Sequence, residues 1–158
     1  MKTKEQWIED LQLLPHPEGG YYRQTDRVVD EEDETHVCYT NIYFLLTKES
    51  PSHLHQLVSD ELWFYHAGDS LTVHAILPDG TYEQTKLGLG EGEKLHHLVK
   101  AGEIFGSSVE EGYALVSCTV IPGFDFKDFK LFTQKELIQR YPAHEEMIRK
   151  MAYERLPM

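Results

Sequence analysis

The feature that most constrains this chain is a succession of short β-rich runs, closed by turn residues and separated by no helical periodicity. They fall at 37–47, 61–66, 70–77, 81–87, 95–99, 103–107 and 112–121. β-Branched and aromatic side chains suit a pleated, half-buried surface, and turn residues such as Gly, Pro, Asn and Asp punctuate the runs. Pro78-Asp79-Gly80 is a strong hairpin signal, because proline presets one turn angle and glycine accepts another that side chains resist. Parallel strands would need a helix-length crossover between successive runs, so this spacing predicts an antiparallel sandwich or barrel.

Helical patterns are confined to the ends. Thr3 and Gln6 have capping-box spacing, and Trp7, Ile8 and Leu11 then share one face, which predicts a helix over 3–13. Pro15 and Pro17 stop it. His16-Pro17-Glu18-Gly19-Gly20 reads as turn chemistry, and Tyr21 to Thr25 as extended chain. Thr133 and Glu136 form a second capping box ahead of Leu137 and Ile138. Pro142 interrupts, and 143–156 carries Met147, Ile148 and Met151 at helical spacing. These helices are expected to pack outside the barrel. The acidic run Asp30 to Glu34 repels itself and belongs on a solvated loop, and Gly88 to Gly92 reads as a flexible loop. No repeat or linker divides the chain, so one domain is expected over 1–158.

Charge narrows the partners. Asp and Glu outnumber Lys and Arg 27 to 15, a net charge of −12, which opposes the phosphate backbone of nucleic acids and an anionic membrane surface. The N-terminal MKTKEQWIEDLQLL lacks the unbroken apolar stretch of a signal peptide, so the expected location is cytoplasmic. Cys38 and Cys118 sit in apolar, strand-like runs and are expected to be free thiols buried in the core.

The segment with most chemical content is Ser52-His53-Leu54-His55, followed by Asp60-Glu61-Leu62-Trp63. On a regular strand His53 and His55 share a face with α-carbons roughly 6–7 Å apart, so both imidazoles converge on one point. If Glu61 returns there on the next strand, two nitrogens and a carboxylate form a facial triad. Trp63 and Tyr65 share the parity of Glu61 and offer flat apolar surfaces beside it. Tyr21 and Arg23, from the opening strand, offer a phenol and a cation.

His53, His55, Glu61 and Gly68 match the first motif of the cupin superfamily, His-x-His, a spacer, Glu, six residues and Gly. Together with Leu14 to Arg23 and Asp60-Glu61-Leu62-Trp63, the chain resembles the uncharacterised fifth cupin family over nearly its whole length. The resemblance implies an all-β double-stranded β-helix, the cupin or jelly-roll barrel, with short terminal helices, and pairing into a homodimer. It departs at the second motif, where Lys100-Ala101-Gly102-Glu103-Ile104-Phe105 has Phe105 in place of the usual histidine ligand.

Three functions stay open at this level. The first is a metal-independent cupin that binds a polar, carbohydrate-like small molecule and isomerises or epimerises it. His55 would be its base, Glu61 its partner and Tyr21 or Tyr65 its acid, with His53, Trp63, Arg23 and Phe105 holding the ligand. The second is a metal-dependent oxygenase or related enzyme with a divalent ion on His53, His55 and Glu61, and the third is a ligand-binding or storage protein without turnover.

Overall fold

The computed structural model describes residues 1–157. A short helix, α1 (Lys4–Asp10), is followed by eight strands: β1 (Leu14–Pro15), β2 (Tyr21–Val29), β3 (Val37–Thr47), β4 (Ser52–Gln56), β5 (Asp60–Gly68), β6 (Leu71–Ile76), β7 (Tyr82–Leu87) and β8 (His96–Val99). Then come β9 (Ile104–Val109), β10 (Tyr113–Ile121), β11 (Lys130–Leu131), α2 (Gln134–Arg140) and α3 (Glu145–Met151). The strands form two antiparallel sheets, β1-β2-β3-β10-β5-β8 and β11-β4-β9-β6-β7. This is the antiparallel two-sheet architecture that the strand spacing predicts and the jelly-roll arrangement that the cupin resemblance implies.

Alternation along the strands sorts the side chains into three apolar clusters. Phe44, Trp63, Val73, Phe105 and Val116 meet between the sheets. On the outer face of the five-stranded sheet, Leu54, Ile76 and Ile104 pack against Phe132, Leu137 and Ile148 from the C-terminal segment. On the outer face of the other sheet, Leu45 and Leu115 are covered by Trp7, Ile8 and Leu11 of the first helix and its end. Fully burying each such Leu, Ile or Phe contributes roughly 1.5–3 kcal/mol, so both helical layers are stabilised by packing rather than by their own short length.

Both capping boxes form. The Thr3 and Thr133 side chains accept from the amides of Gln6 and Glu136, whose side chains in turn accept from the cap amides. The helices themselves are shorter than the periodicity suggests. A 3-10 turn at Pro142–His144 precedes α3, and the chain is already extended at Ala152, so the expected helix over 143–156 is seven residues long. Cys38 also departs from expectation: it is only half-buried, whereas Cys118 is buried.

One irregularity decides which side chains of β4 enter the barrel. In the β4–β9 ladder Ser52 opposes Ser107 and His55 opposes Phe105, so three steps on β4 face two on β9. The extra residue is a β-bulge, which breaks the two-residue alternation and re-aims the side chains beyond it. Ser52 and His55 both point into the barrel, Leu54 points to the helical layer, and His53 turns to the rim. Across from the bulge stands Gly106, where a Cβ would lie 2.5 Å from the Ser52 carbonyl oxygen and 3.2 Å from both the His53 carbonyl carbon and the Leu54 amide nitrogen. These are backbone atoms that cannot step aside.

Gly106→Ala is therefore expected to destabilise the protein by about 1–3 kcal/mol, the usual range for forcing a methyl group into a packed interior. Urea unfolding monitored by tryptophan fluorescence measures it; an unchanged midpoint would mean the bulge does not press on Gly106.

Candidate functional site

The bulge and the N-terminal turn together build a cavity of about 250 Å³ between the sheets. It is lined by His16 and Glu18 from the turn, Tyr22 and Gln24 from β2, Thr40 and Ile42 from β3, His55 and Leu57 from β4 and its end, Glu61 from β5, Cys118 and Val120 from β10, and Phe124 and Phe126 from the loop after β10. The turn is locked by glycine. Gly19 has φ of +107°, and a Cβ there would lie 1.9 Å from the Pro51 carbonyl oxygen, so no side chain fits. The neighbouring Glu18 side chain lines the cavity.

Glu18 is buried, at 5% exposure, and its carboxyl is the hub of the site. The Ser52 hydroxyl donates to Oε2, His55 Nε2 lies 3.2 Å from the same oxygen, and His16 Nδ1 lies 3.4 Å from Oε1. Its backbone takes part as well. The Glu18 amide donates to His16 Nδ1 at 3.1 Å, which leaves the His16 ring proton on Nε2, and the Glu18 carbonyl accepts from the His53 amide at 2.6 Å.

His55 has a defined tautomer. Its Nδ1 is 2.7 Å from the His53 carbonyl, a group that only accepts, so Nδ1 carries the proton and Nε2 faces Glu18. The pair then exists either as carboxyl and imidazole or as carboxylate and imidazolium, differing by the position of one proton. Burial pushes the imidazole down to about 4 and raises the carboxyl, so the neutral form is favoured. Phe105 and Phe129 enclose the imidazole, with ring centroids 4.2 and 5.3 Å away.

Glu61 lines the same cavity at 6% exposure and makes no ion pair among the described residues. Burial pushes its carboxyl up to about 8, with Glu18 adding to the rise whenever that neighbour is ionised and a hydrogen bond with the Cys118 thiol opposing it. That thiol is itself pushed up by burial and by the two carboxyls. The mouth of the cavity is aromatic. His16 lies edge-on to Tyr22 at 4.6 Å, and Phe124 and Phe126 are edge-to-face at 4.8 Å.

Of the residues singled out from the sequence, His55 and Glu61 line this cavity and Phe105 forms the wall behind His55. The expected convergence of His53 with them does not occur. The bulge turns its ring to the rim, where Nδ1 lies 2.8 Å from the Glu18 carbonyl and the ring stacks on Tyr153 at 3.6 Å. Trp63 fills the core between Phe44 and Phe105, with its indole nitrogen unpartnered. Tyr65 packs on the same core and donates to the Gly68 carbonyl at 2.6 Å, away from the cavity. Tyr21 packs beneath the first helix and Arg23 is exposed, because β2 turns Tyr22 and Gln24 inward in their place.

A divalent ion on His53, His55 and Glu61 does not fit this geometry. His53 faces away, His55 Nε2 is directed at Glu18, and among the described residues no three His, Cys, Asp or Glu side chains are grouped to hold a metal. Sequence reasoning missed His16, Glu18, Ser52, Tyr22 and the loop phenylalanines. A carboxylate beside two glycines at the entry to a sheet, and the spacing of Phe124, Phe126 and Phe129, are the signals that would have pointed to them.

Residues 5–132 match the family described as Cupin superfamily (DUF985). An uncharacterized protein of Saccharomyces cerevisiae is 31% identical over 147 residues, covering 78% of this chain and 72% of the yeast protein. Among solved structures, a hypothetical protein from Leishmania major is 48% identical with a TM-score of 0.87, covering 96% of this chain and 99% of the other. A protein from Shewanella oneidensis is 40% identical with a TM-score of 0.93, over 98% and 100% of the two chains. Oxalate decarboxylase from Bacillus subtilis shares the fold at 17% identity and a TM-score of 0.59, over 96% of this chain and 42% of that one.

Glu61 and His55 give opposite pH dependences. Glu61 moves from an ordinary 4.5 to about 8, so between these values the folded state keeps a proton that the unfolded chain releases, and stability falls as pH rises. His55 moves from 6.5 to about 4, so the unfolded chain takes a proton that the fold refuses, and stability falls as pH drops through that window. Glu61→Gln removes only the first effect. From pH 6.5 to 8 the variant should gain on the wild type by up to ~1.4 kcal/mol per pH unit in urea unfolding; parallel curves would contradict the protonated Glu61.

Proposed function

The chain belongs to the cupin superfamily, in the family DUF985, and on that footing we propose that it binds a small polar metabolite inside the barrel and moves a proton on it, as an isomerase or epimerase does. The observation that carries this reading is the buried Glu18–His55 pair, 3.2 Å apart and facing a cavity. A carboxyl and an imidazole that differ by one proton can take a proton from a substrate carbon or hydroxyl and return it at a neighbouring position. With the shared proton on His55, Glu18 is the base: the substrate C–H bond breaks as an O–H bond forms on Glu18, and the reverse transfer to the neighbouring position restores the pair. No outside oxidant or reductant is needed.

Each surrounding residue has a part in this reading. The His53 carbonyl fixes the His55 tautomer, and the Ser52 hydroxyl holds Glu18 Oε2 in place. Gln24 and Thr40 offer an amide and a hydroxyl to substrate oxygens, and the aromatic rim keeps bulk water from the transferred proton. At about 250 Å³ the cavity is smaller than the roughly 300–1,000 Å³ of drug-sized sites, which favours a single-ring or acyclic metabolite over a nucleotide sugar. A small dianion such as the oxalate of the Bacillus enzyme finds no lysine or arginine among the lining residues.

The test is hydrogen exchange. A panel of aldoses, ketoses and amino sugars incubated in D2O with the intact protein should include a compound whose carbon-bound hydrogen exchanges, followed by proton NMR. His55→Gln should slow that exchange by about 10²–10⁴-fold while circular dichroism shows the barrel intact. Exchange at equal rate in the variant would remove His55 from the chemistry, and a wild-type protein inert to the whole panel would overturn the proposal.

A further inference from the structure

The lining of this cavity is unbalanced in charge. Two carboxyls, Glu18 and Glu61, are each more than nine-tenths buried in it, and no lysine or arginine side chain among the described residues lines it. The two imidazoles present are held toward the neutral form by burial. Glu18 has Ser52 and His55 for company, but Glu61 has only the Cys118 thiol, a weak donor. A buried carboxyl without a countercharge keeps its proton, and a cation entering the cavity is what would let Glu61 ionise there.

The second observation is the aromatic rim. Tyr22, Phe124 and Phe126 line the cavity, and Phe126 is half-exposed at its opening. Aromatic faces attract cations through their quadrupole, more strongly where water is excluded. Carboxyls and aromatic rings lining one cavity are the two components of an ammonium-binding site.

From these features we infer that the metabolite taken by this site carries an organic ammonium group, with Glu61 as its counter-ion and Tyr22, Phe124 and Phe126 around it. The inference rests on the proposed function only in placing the ligand in this cavity; it adds the ligand's charge. A bound ammonium favours ionised Glu61, reversing what burial does to that carboxyl. The acidic surface, net −12, raises the local concentration of such a ligand. The Glu18–His55 pair is left free for proton transfer on the rest of the molecule.

The experiment compares isosteres that differ only in charge. Choline, 3,3-dimethylbutan-1-ol and 3,3-dimethylbutanoate are titrated calorimetrically into the full chain, with ethanolamine as a primary ammonium. The expected result is saturable binding of choline or ethanolamine about tenfold or more tighter than the neutral alcohol, with the anion weakest. Glu61→Gln should erase that preference and leave the alcohol's affinity unchanged. Should that variant fail to fold, Phe126→Ala, at a half-exposed ring, should weaken cation binding by about tenfold or less and weaken alcohol binding by a smaller factor, so that the preference for the cation narrows. Equal or better binding of the alcohol, or no binding of either cation, overturns the inference. Proton exchange on an uncharged substrate without cation preference sinks the inference alone; absence of both exchange and binding sinks the proposed function with it.

Discussion

The site depends on holding one carboxyl inside a barrel. Glu18 is buried beside His16, Ser52 and His55, in an interior that penalises a charge by several kcal/mol unless hydrogen bonds replace water. Its partners come from separate places: His16 from the same turn, and Ser52 and His55 from a strand that follows more than thirty residues later. Two local distortions make this possible. The left-handed Gly19 brings the turn against Pro51, and the bulge on β4 lets residues three apart present their side chains to one oxygen. A regular strand could offer Ser52 or His55 to Glu18, but not both.

That distortion marks where sequence reasoning succeeded and where it stopped. The barrel, its antiparallel sheets and the capping boxes were legible because each rests on local pattern: period-two hydrophobicity, turn residues, and threonine three places before Gln or Glu. His55 and Glu61 were legible as inward-facing polar residues. His53 was misplaced because alternation is a property of regular strands, and a bulge leaves little trace in sequence beyond the glycine opposite it, Gly106. Tyr21 and Arg23 were chosen over Tyr22 and Gln24 because the phase of a strand is set by its partners, which the sequence does not show. Glu18 was hidden by its neighbours, since a glutamate between proline and glycine looks like any surface turn.

The same geometry explains why this barrel departs from the metal-centred design that the His-x-His motif suggests. A histidine ligand needs its ring nitrogen free to face the ion, yet the second histidine of the motif here directs Nε2 at a carboxyl. The first is stacked on Tyr153 outside the cavity, and the usual third position is Phe105, whose ring instead backs His55. Two of these departures replace a coordinating group with an aromatic contact, and the third turns it to a carboxyl. What remains is a cavity with a buried carboxyl–imidazole pair, in which acidity is set by burial.

Burial has a further consequence for what such a pocket will accept. In water the charge of a ligand is largely screened, and shape dominates recognition. In a cavity with two carboxyls, two neutral imidazoles and a rim of rings, screening is weak, so a difference of one unit charge outweighs a difference of one hydroxyl. Ordinary turn and strand chemistry keeps those carboxyls dry and leaves Glu61 without a protein cation. A partner bringing positive charge would let Glu61 ionise and meet the aromatic faces at once, whereas a neutral partner would leave Glu61 protonated and an anion would hold it more firmly so.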